Sequence, residues 1–397
     1  MLDLNSLMGR TFGGDYTIVE KLGEGGMGAV FRAIAGRDGP SVAIKILHPS
    51  LAEETLVRAR FEREAVMAAQ IDHPNVVRVI AHGEEQGLPY IVMEMVSGRD
   101  LFEVLTEEGQ LTPARAASIA LQICDAVATA HEGGIIHRDL KPENVMLLGD
   151  ASSAGCERVK LLDFGVAKQL HDFEGGDGKI ITVAGSIVGT PAYMSPEQCL
   201  GEPVDARSDV YACGAVLYHL VTGCAPFEDE SPLQTLVRHV REEPRPPSLI
   251  VPDLDPELEA TILKALQKRP EDRHQGAHEL WEELLAALPR LVQQERPARA
   301  AARPRKTTSS QGATWVLSQM AVKRRAAPTP NERRPRKRAR KDGGRGWAPV
   351  LVGAVAGACI GLGVVGVTGD PLAWISALVP SEGASPTTTY VTTDPGP

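Results

Sequence analysis

Two stretches near the start of the chain have residue types suited to holding phosphate. The first is Gly23-Glu24-Gly25-Gly26-Met27-Gly28-Ala29-Val30, a G-x-G-x-x-G-x-V pattern. Glycine lets backbone N–H groups approach phosphate oxygens with no Cβ in the way. Alone, the pattern also fits a dinucleotide fingerprint, but that site needs a helix directly after the glycines. Here the extended, apolar run Ala29-Val30-Phe31-Arg32-Ala33-Ile34 follows, which predicts a strand–loop–strand hairpin folded over a nucleotide. No Gly-Lys-Ser/Thr closes the loop, which excludes a P-loop. The second stretch is Val42-Ala43-Ile44-Lys45. A lysine on a strand is ordinarily a solvated edge residue, but three apolar neighbours place this one inside, where an ammonium needs an anion. Glu64 lies 19 residues on, within a predicted helix over Phe61–Ala69. A Lys45–Glu64 pair would hold the lysine on nucleotide phosphates. Glu62 is the local rival, and an exposed helical carboxylate is the plain alternative for either.

These groups need a sheet and a helix to hold them. β-Branched runs at Tyr16–Val19, Val42–Ile46, Val76–Ile80 and Tyr90–Val96 alternate with turn signals such as Asp38-Gly39-Pro40. One helical stretch, Ala52 to Gln70, interrupts them. From Thr112 helices dominate. Thr112-Pro113 reads as an N-cap followed by proline at the first helical position, opening Ala114–His131, and Asp255-Pro256 opens Glu257–Leu266 in the same way. The fold class is therefore α+β and bilobal, with a small β-rich lobe before a larger helical one. With 397 residues the chain can bury full cores, and 43% hydrophobic content excludes a wholly disordered protein. Aromatics at 4% argue against a platform for stacked bases. The six cysteines, none in a C-x-x-C pair, give no support to a zinc or dithiol redox site and read as reduced thiols.

The strongest signal is His137-Arg138-Asp139-Leu140-Lys141-Pro142-Glu143-Asn144 followed by Asp163-Phe164-Gly165. With the glycine loop and Lys45 in this order, the chain resembles eukaryotic-type (Hanks-type) serine/threonine protein kinases, in particular bacterial receptor-like, membrane-anchored members. The resemblance covers about Tyr16 to Leu288. It implies ATP as phosphate donor and Mg²⁺, with Mn²⁺ as an alternative, as cofactor. Asp139 would orient the acceptor hydroxyl and take its proton, Asn144 and Asp163 would bind the metal, and Lys141 would contact the γ-phosphate. Nucleotide contacts would come from Leu22 through Val30, from Lys45 paired with Glu64, and from the backbone of Glu94-Met95-Val96, with Met93 at the back of the pocket. Lys141 and Gly189-Thr190-Pro191 match the serine/threonine pattern, with Thr190 near Asp139 and Lys141. Glu197, in Tyr193-Met194-Ser195-Pro196-Glu197, would pair with Arg273, and Asp209 would hold the catalytic-loop backbone. Ser195 stands where the family usually has alanine. Arg138 would receive a phosphate on the activation loop, for which Thr182 and Ser186 are the best candidates. An inactive pseudokinase scaffold is the competing class, although Lys45, Asp139 and Asp163 are all present.

Charge is unevenly spread. Between Arg290 and Gly346 stand 17 Lys/Arg against 3 Asp/Glu, a net of +14; with −9 overall, the remainder carries −23. An acidic body with a basic strap excludes a uniform nucleic-acid binder. The reading in full is an N-terminal extension (1–15), a catalytic domain (16–288), a basic disordered juxtamembrane linker (289–346), a transmembrane helix (347–368) and a short extracytoplasmic tail (369–397). Val350–Val367 is apolar or glycine throughout, and about 20 residues span a bilayer core. The cluster Arg333–Lys341 beside it puts the kinase domain in the cytoplasm by the positive-inside rule; a nuclear-localisation or DNA-binding role is its rival. Gly353, Gly357 and Gly361 could pack a helix dimer, so the expected partners are protein substrates, the bilayer and a second copy, with no nucleic acid.

Overall fold

The computed structural model describes residues 4–149, 157–164, 182–183, 186–187 and 191–301. Alternating β-branched residues and tight turns build a six-stranded antiparallel sheet. Its strands are β1 (Thr11–Phe12), β2 (Tyr16–Glu24), β3 (Gly28–Ala35), β4 (Ser41–Leu47), β5 (Val79–Glu85) and β6 (Leu88–Glu94), in the order β1-β2-β3-β4-β6-β5. The glycine loop is the β2–β3 hairpin, as its sequence predicts. Gly25 and Gly28 exchange backbone hydrogen bonds of 2.8 and 3.3 Å around the Gly26-Met27 tip. A Cβ on Gly28 would lie 2.0 Å from the Ile46 carbonyl oxygen, so only glycine lets β3 approach β4 this closely. Helices α1 (Pro49–Ala52) and α2 (Thr55–Ala68) follow β4. The expected strand at Val76–Ile80 leaves the sheet at its start. There Val77 N–H donates to Leu161 O (2.9 Å) and Leu161 N–H to Asn75 O (2.7 Å), joining the two lobes.

The N-terminal residues are part of this lobe. Leu4, Leu7 and Phe12 are buried in the same core as Ile18, Ile44 and Val92, and Phe12 meets Tyr90 edge-on with centroids 5.6 Å apart.

The second lobe is built on α3 (Leu101–Glu108), α4 (Pro113–Glu132), α5 (Pro196–Leu200), α6 (Ala206–Thr222), α7 (Pro232–Arg241), α8 (Pro256–Ala265) and α9 (Ala277–Ala301). A three-stranded sheet β7 (Arg99–Asp100), β8 (Val145–Leu148) and β9 (Arg158–Leu161) lies between helices and cleft. Short strands β10 (Thr182–Val183) and β11 (Ser186–Ile187) pair antiparallel. The Asp255 cap is as expected, its carboxylate accepting from Glu257 and Leu258 N–H at 3.1 Å each. At α4 Thr112 is the N-cap residue and Pro113 opens the helix, as expected, but the capping bond comes from elsewhere. Thr112 makes no side-chain cap; Glu295, on α9, accepts from Ala114 N–H at 2.7 Å.

That contact moves a boundary. The linker expected from residue 289 does not begin there, because α9 runs on to Ala301 and Leu291 is fully buried with Leu284 and Ala287. Leu291→Ala in the full chain should therefore cost about 2–5 kcal/mol of stability in a denaturant melt. A change below about 0.5 kcal/mol would show that this turn does not belong to the folded lobe. Residues 302–397, including the basic cluster and the span 347–368, lie outside the described residues. Among the described residues no helix is long and apolar enough to cross a membrane.

Candidate active site

Lys45 is placed by strand register, opposite Val30 on one side and Ile91 on the other, and is 5% exposed. Its ammonium lies 2.9 Å from Glu64 Oε1 and 3.1 Å from Asp163 Oδ1. Burial works against the charge, but Asp163 and Glu64 outweigh it and raise the lysine pKa. Burial pushes Glu64 up against the pull of Lys45. The rivalry between Glu62 and Glu64 is resolved: Glu62 bonds Arg58 on the exposed face of α2, while Glu64 is buried. Two residues turn a helix by about 200°, so only one of them can face the sheet.

Asn144 and Asp163 meet because β8 and β9 pair. Val145 opposes Leu161, and Leu162 N–H donates to Asn144 O at 2.8 Å. One chain enters this pairing from the catalytic loop and the other leaves it toward Asp163. Asn144 Nδ2 donates to Asp139 O (2.5 Å), and Lys141 Nζ lies 3.1 Å from Asp139 Oδ2. Lys45, Glu64, Asp163, Asn144, Asp139 and Lys141 thus line one cleft. The backbone here is held in a costly form: Arg138 has φ 63° and Asp163 φ 42°. Such non-glycine conformations cost about 1–3 kcal/mol each and persist only when the surroundings fix them.

Asp209, in the first turn of α6, does much of that fixing. Its carboxylate accepts from the N–H groups of His137 (2.7 Å) and Arg138 (2.8 Å), and shares a hydrogen bond with His131 Nε2 (2.8 Å). Burial opposes the charge, but these bonds bring its pKa below the usual carboxylate value. Glu197 and Arg273 form the expected buried pair, two parallel bonds of 2.8 and 2.9 Å. Ser208 Oγ also donates to Glu197. Ser195 caps α5 in a capping box with Gln198, a positive use for the serine that departs from the usual alanine.

Met93 lies in the wall of a small cavity with Glu64, Val77, Ile91, Asp163 and Phe164. Leu22, Gly23 and Glu24 close β2, and Ala29 and Val30 are buried at the start of β3. The Glu94 side chain has a role not foreseen. It accepts from Lys160 Nζ (2.5 Å) and Arg78 N–H (2.9 Å), tying the segment between the lobes to β9, while Val96 is buried beyond it. Sequence reasoning also missed His131 and Gln198, whose Nε2 donates to Arg138 O at 2.8 Å. Thr190 lies outside the described residues, and Thr182 and Ser186 are described only as members of β10 and β11.

The residues fit a divalent cation. Asn144 Oδ1 is buried and has no hydrogen-bond partner, and the Asp163 carboxylate shares its cleft. Hard oxygen donors, few in number, suit an ion that keeps water and phosphate in its remaining positions. Among the described residues no cluster of three or more His, Cys, Asp or Glu could hold a metal unaided.

A two-lobed fold with a glycine hairpin, a buried Lys–Glu pair and an Asp–Lys–Asn loop in one cleft is an arrangement suited to holding the phosphates of a nucleotide. Residues 16–286 match the protein kinase domain, and the chain belongs to the protein kinase family. It is 44% identical over 273 residues to a probable serine/threonine-protein kinase of Corynebacterium efficiens, covering 67% of this chain and 40% of that protein. It is 43% identical over 274 residues to the serine/threonine-protein kinase PknB of Mycobacterium tuberculosis, covering 68% of this chain and 42% of the other. With the serine/threonine-protein kinase pkn3 of Myxococcus xanthus, identity is 40% over 329 residues, 82% of this chain and 58% of the other. The matches therefore span between 40% and 58% of the length of those relatives. The crystal structure of the M. tuberculosis PknI kinase domain superposes with a TM-score of 0.54 at 31% identity, covering 70% of this chain and 98% of that one.

Proposed function

We propose that this chain transfers the γ-phosphate of ATP to serine and threonine hydroxyls of proteins. The observation that carries this reading is the buried Lys45, held between Glu64 and Asp163 at 2.9 and 3.1 Å. A cation so placed has a structural partner on one side and faces the cleft on the other. Lys45 positions the donor phosphates, and Lys141 offsets charge that builds as the γ-phosphoryl group moves. Asp139 orients the acceptor hydroxyl and takes its proton. Asn144 and Asp163 hold the cation, Mg²⁺ in this reading, which when bound neutralises phosphate charge. The serine/threonine assignment rests on Lys141, on Gly189-Thr190-Pro191 and on the names of the relatives.

The full chain should phosphorylate myelin basic protein with Mg²⁺ and ATP, and EDTA should stop it. Asn144→Ala should raise the Mg²⁺ concentration for half-maximal rate about tenfold, since metal-ligand losses act on affinity first. Nucleotide binding with no transfer at any Mg²⁺ concentration would favour a pseudokinase scaffold instead.

The remainder of the reading rests on sequence. Residues 347–368 form a single membrane-spanning helix, Arg333–Lys341 keeps its near end cytoplasmic, and Gly353, Gly357 and Gly361 offer a dimer face. Autophosphorylation at Thr182 or Ser186 supplies an anion for Arg138.

A further inference from the structure

Two neighbouring lysines of the helical lobe have opposite surroundings. Lys264, in the last turn of α8, is held as a cation by two carboxylates, Glu279 at 3.0 Å and Glu283 at 2.6 Å. Lys268 lies just past the end of that helix, and among the described residues no carboxylate reaches its Nζ. Its ammonium donates instead to the carbonyl of His239, 3.0 Å away. That carbonyl belongs to the last turn of α7, where backbone acceptors have no partner within the helix. Otherwise the ammonium meets aromatic rings, 4.2 Å from the centre of Phe227 and 6.0 Å from that of Tyr211. Both rings and His239 are buried, and the Tyr211 hydroxyl meets His239 Nδ1 at 2.8 Å, which fixes the box. Arg238 also lies over Phe227, at 5.8 Å, so two cations share one ring.

The charges that would steady Lys268 are engaged elsewhere. Glu242 bonds Arg238 at 2.8 Å, and Glu197 bonds Arg273, whose guanidinium lies 5.0 Å from the centre of the Tyr211 ring. Glu243 acts on Lys268 without touching it. Burial pushes the Cys199 thiol up to about 12 and His239 down to about 3, so both are neutral at physiological pH. Burial lowers Lys268 to about 8, with Glu243 opposing and Arg273 adding to the fall. The side chain is nevertheless only partly covered, so a small reagent can reach it.

We propose that Lys268 is an acylation site: its amine takes an acyl group from an activated donor, an acyl phosphate or an acyl thioester, and the modified side chain releases the C-terminal end of α7. The Nζ lone pair attacks the acyl carbon and forms the C–N amide bond. The bond from that carbon to the phosphate oxygen or the thioester sulfur breaks, and the leaving phosphate or thiolate takes up the proton that nitrogen loses. No oxidant or reductant is needed. The amide product has no charge to place over Phe227, and one N–H where the ammonium had three. Lys264 is the contrast, because attack needs a free lone pair and its two carboxylates keep it protonated. The proposal does not depend on the kinase reading.

The test incubates the full-length chain with acetyl phosphate and, in a second arm, with acetyl-coenzyme A, and follows the acetyl group at each lysine by peptide mass spectrometry. At pH 8 about half of the Lys268 amines are neutral, against fewer than about 1% for an ordinary lysine. Lower basicity offsets part of that gain, so Lys268 should be labelled at least about tenfold faster than Lys264 in one arm or both, and the faster arm identifies the donor class. The rate at Lys268 should level off above about pH 9, while that at Lys264 keeps rising. Acetylated wild type should melt about 2–4 °C below untreated protein, the scale of one lost charge-assisted hydrogen bond. Lys268→Arg, which keeps a cation but offers no amine, should show no fall on treatment. The labelling rates need only wild-type protein, so they carry the test if that variant folds poorly. Label at Lys268 no faster than at Lys264 in both arms, or an equal fall in melting temperature for treated wild type and treated Lys268→Arg, overturns the proposal.

Discussion

Asp139→Asn should lower the rate of phosphoryl transfer at least ~100-fold, the usual scale for loss of a general base. The substitution is nearly isosteric. Asn144 bonds the backbone carbonyl of residue 139, which the substitution leaves in place, and the amide oxygen leaves Lys141 a partial partner. What disappears is the carboxylate that takes the hydroxyl proton. ATP affinity should stay within about threefold of wild type, because Lys45, Glu64 and Asp163 are untouched, and the melting temperature should hardly move. Turnover near the wild-type value would remove Asp139 from the role assigned to it. A large fall in ATP affinity would mean that the catalytic loop had shifted as a whole.

The largest expected effect on stability is at the other end of the lobe. Arg273 has a fully buried side chain and bonds both oxygens of Glu197; it also donates to the carbonyls of Gln267 (2.7 Å), Lys268 (2.8 Å) and Arg207 (3.0 Å). Arg273→Ala strands the Glu197 carboxylate in the core and should cost about 3–5 kcal/mol. The sign with pH follows. Burial pushes the Glu197 pKa up, but the bonds and charge of Arg273 bring it below the ordinary carboxylate value. The contribution of the pair is complete above that ordinary value and is lost as pH falls through the depressed one. Denaturant melts at pH 7 and pH 3 should show the gap between wild type and Arg273→Ala narrowing in acid. A constant gap would mean that packing, not charge, sets the cost.

The catalytic loop was legible because its chemistry is local. Asp139, Lys141 and Asn144 fall within six residues, and few activities need a carboxylate, a cation and an amide so close together. Lys45 and its distance to Glu64 were legible because an apolar strand cannot hold a lone ammonium. Less legible were partners far apart in sequence. Nothing near His131 marks it as a neighbour of Asp209, and nothing near Glu295 marks it as the cap of α4. The C-terminal boundary failed for a different reason. Pro289 and the Ala/Arg-rich run after it resemble a linker, and that composition outweighed the spacing of Leu284, Ala287 and Leu291, which continues the buried face of α9. The N-terminal extension hid its role similarly, since Leu4, Leu7 and Phe12 are too few to define an element without the sheet they cover.

The most direct test of the kinase reading is phosphoamino acid analysis of the full-length chain after incubation with γ-labelled ATP and Mg²⁺, run beside Asp139→Asn. Label on serine and threonine in the wild type, at least about 100-fold weaker in the variant, is the predicted result. Label on tyrosine, or equal labelling of the two proteins, would contradict it.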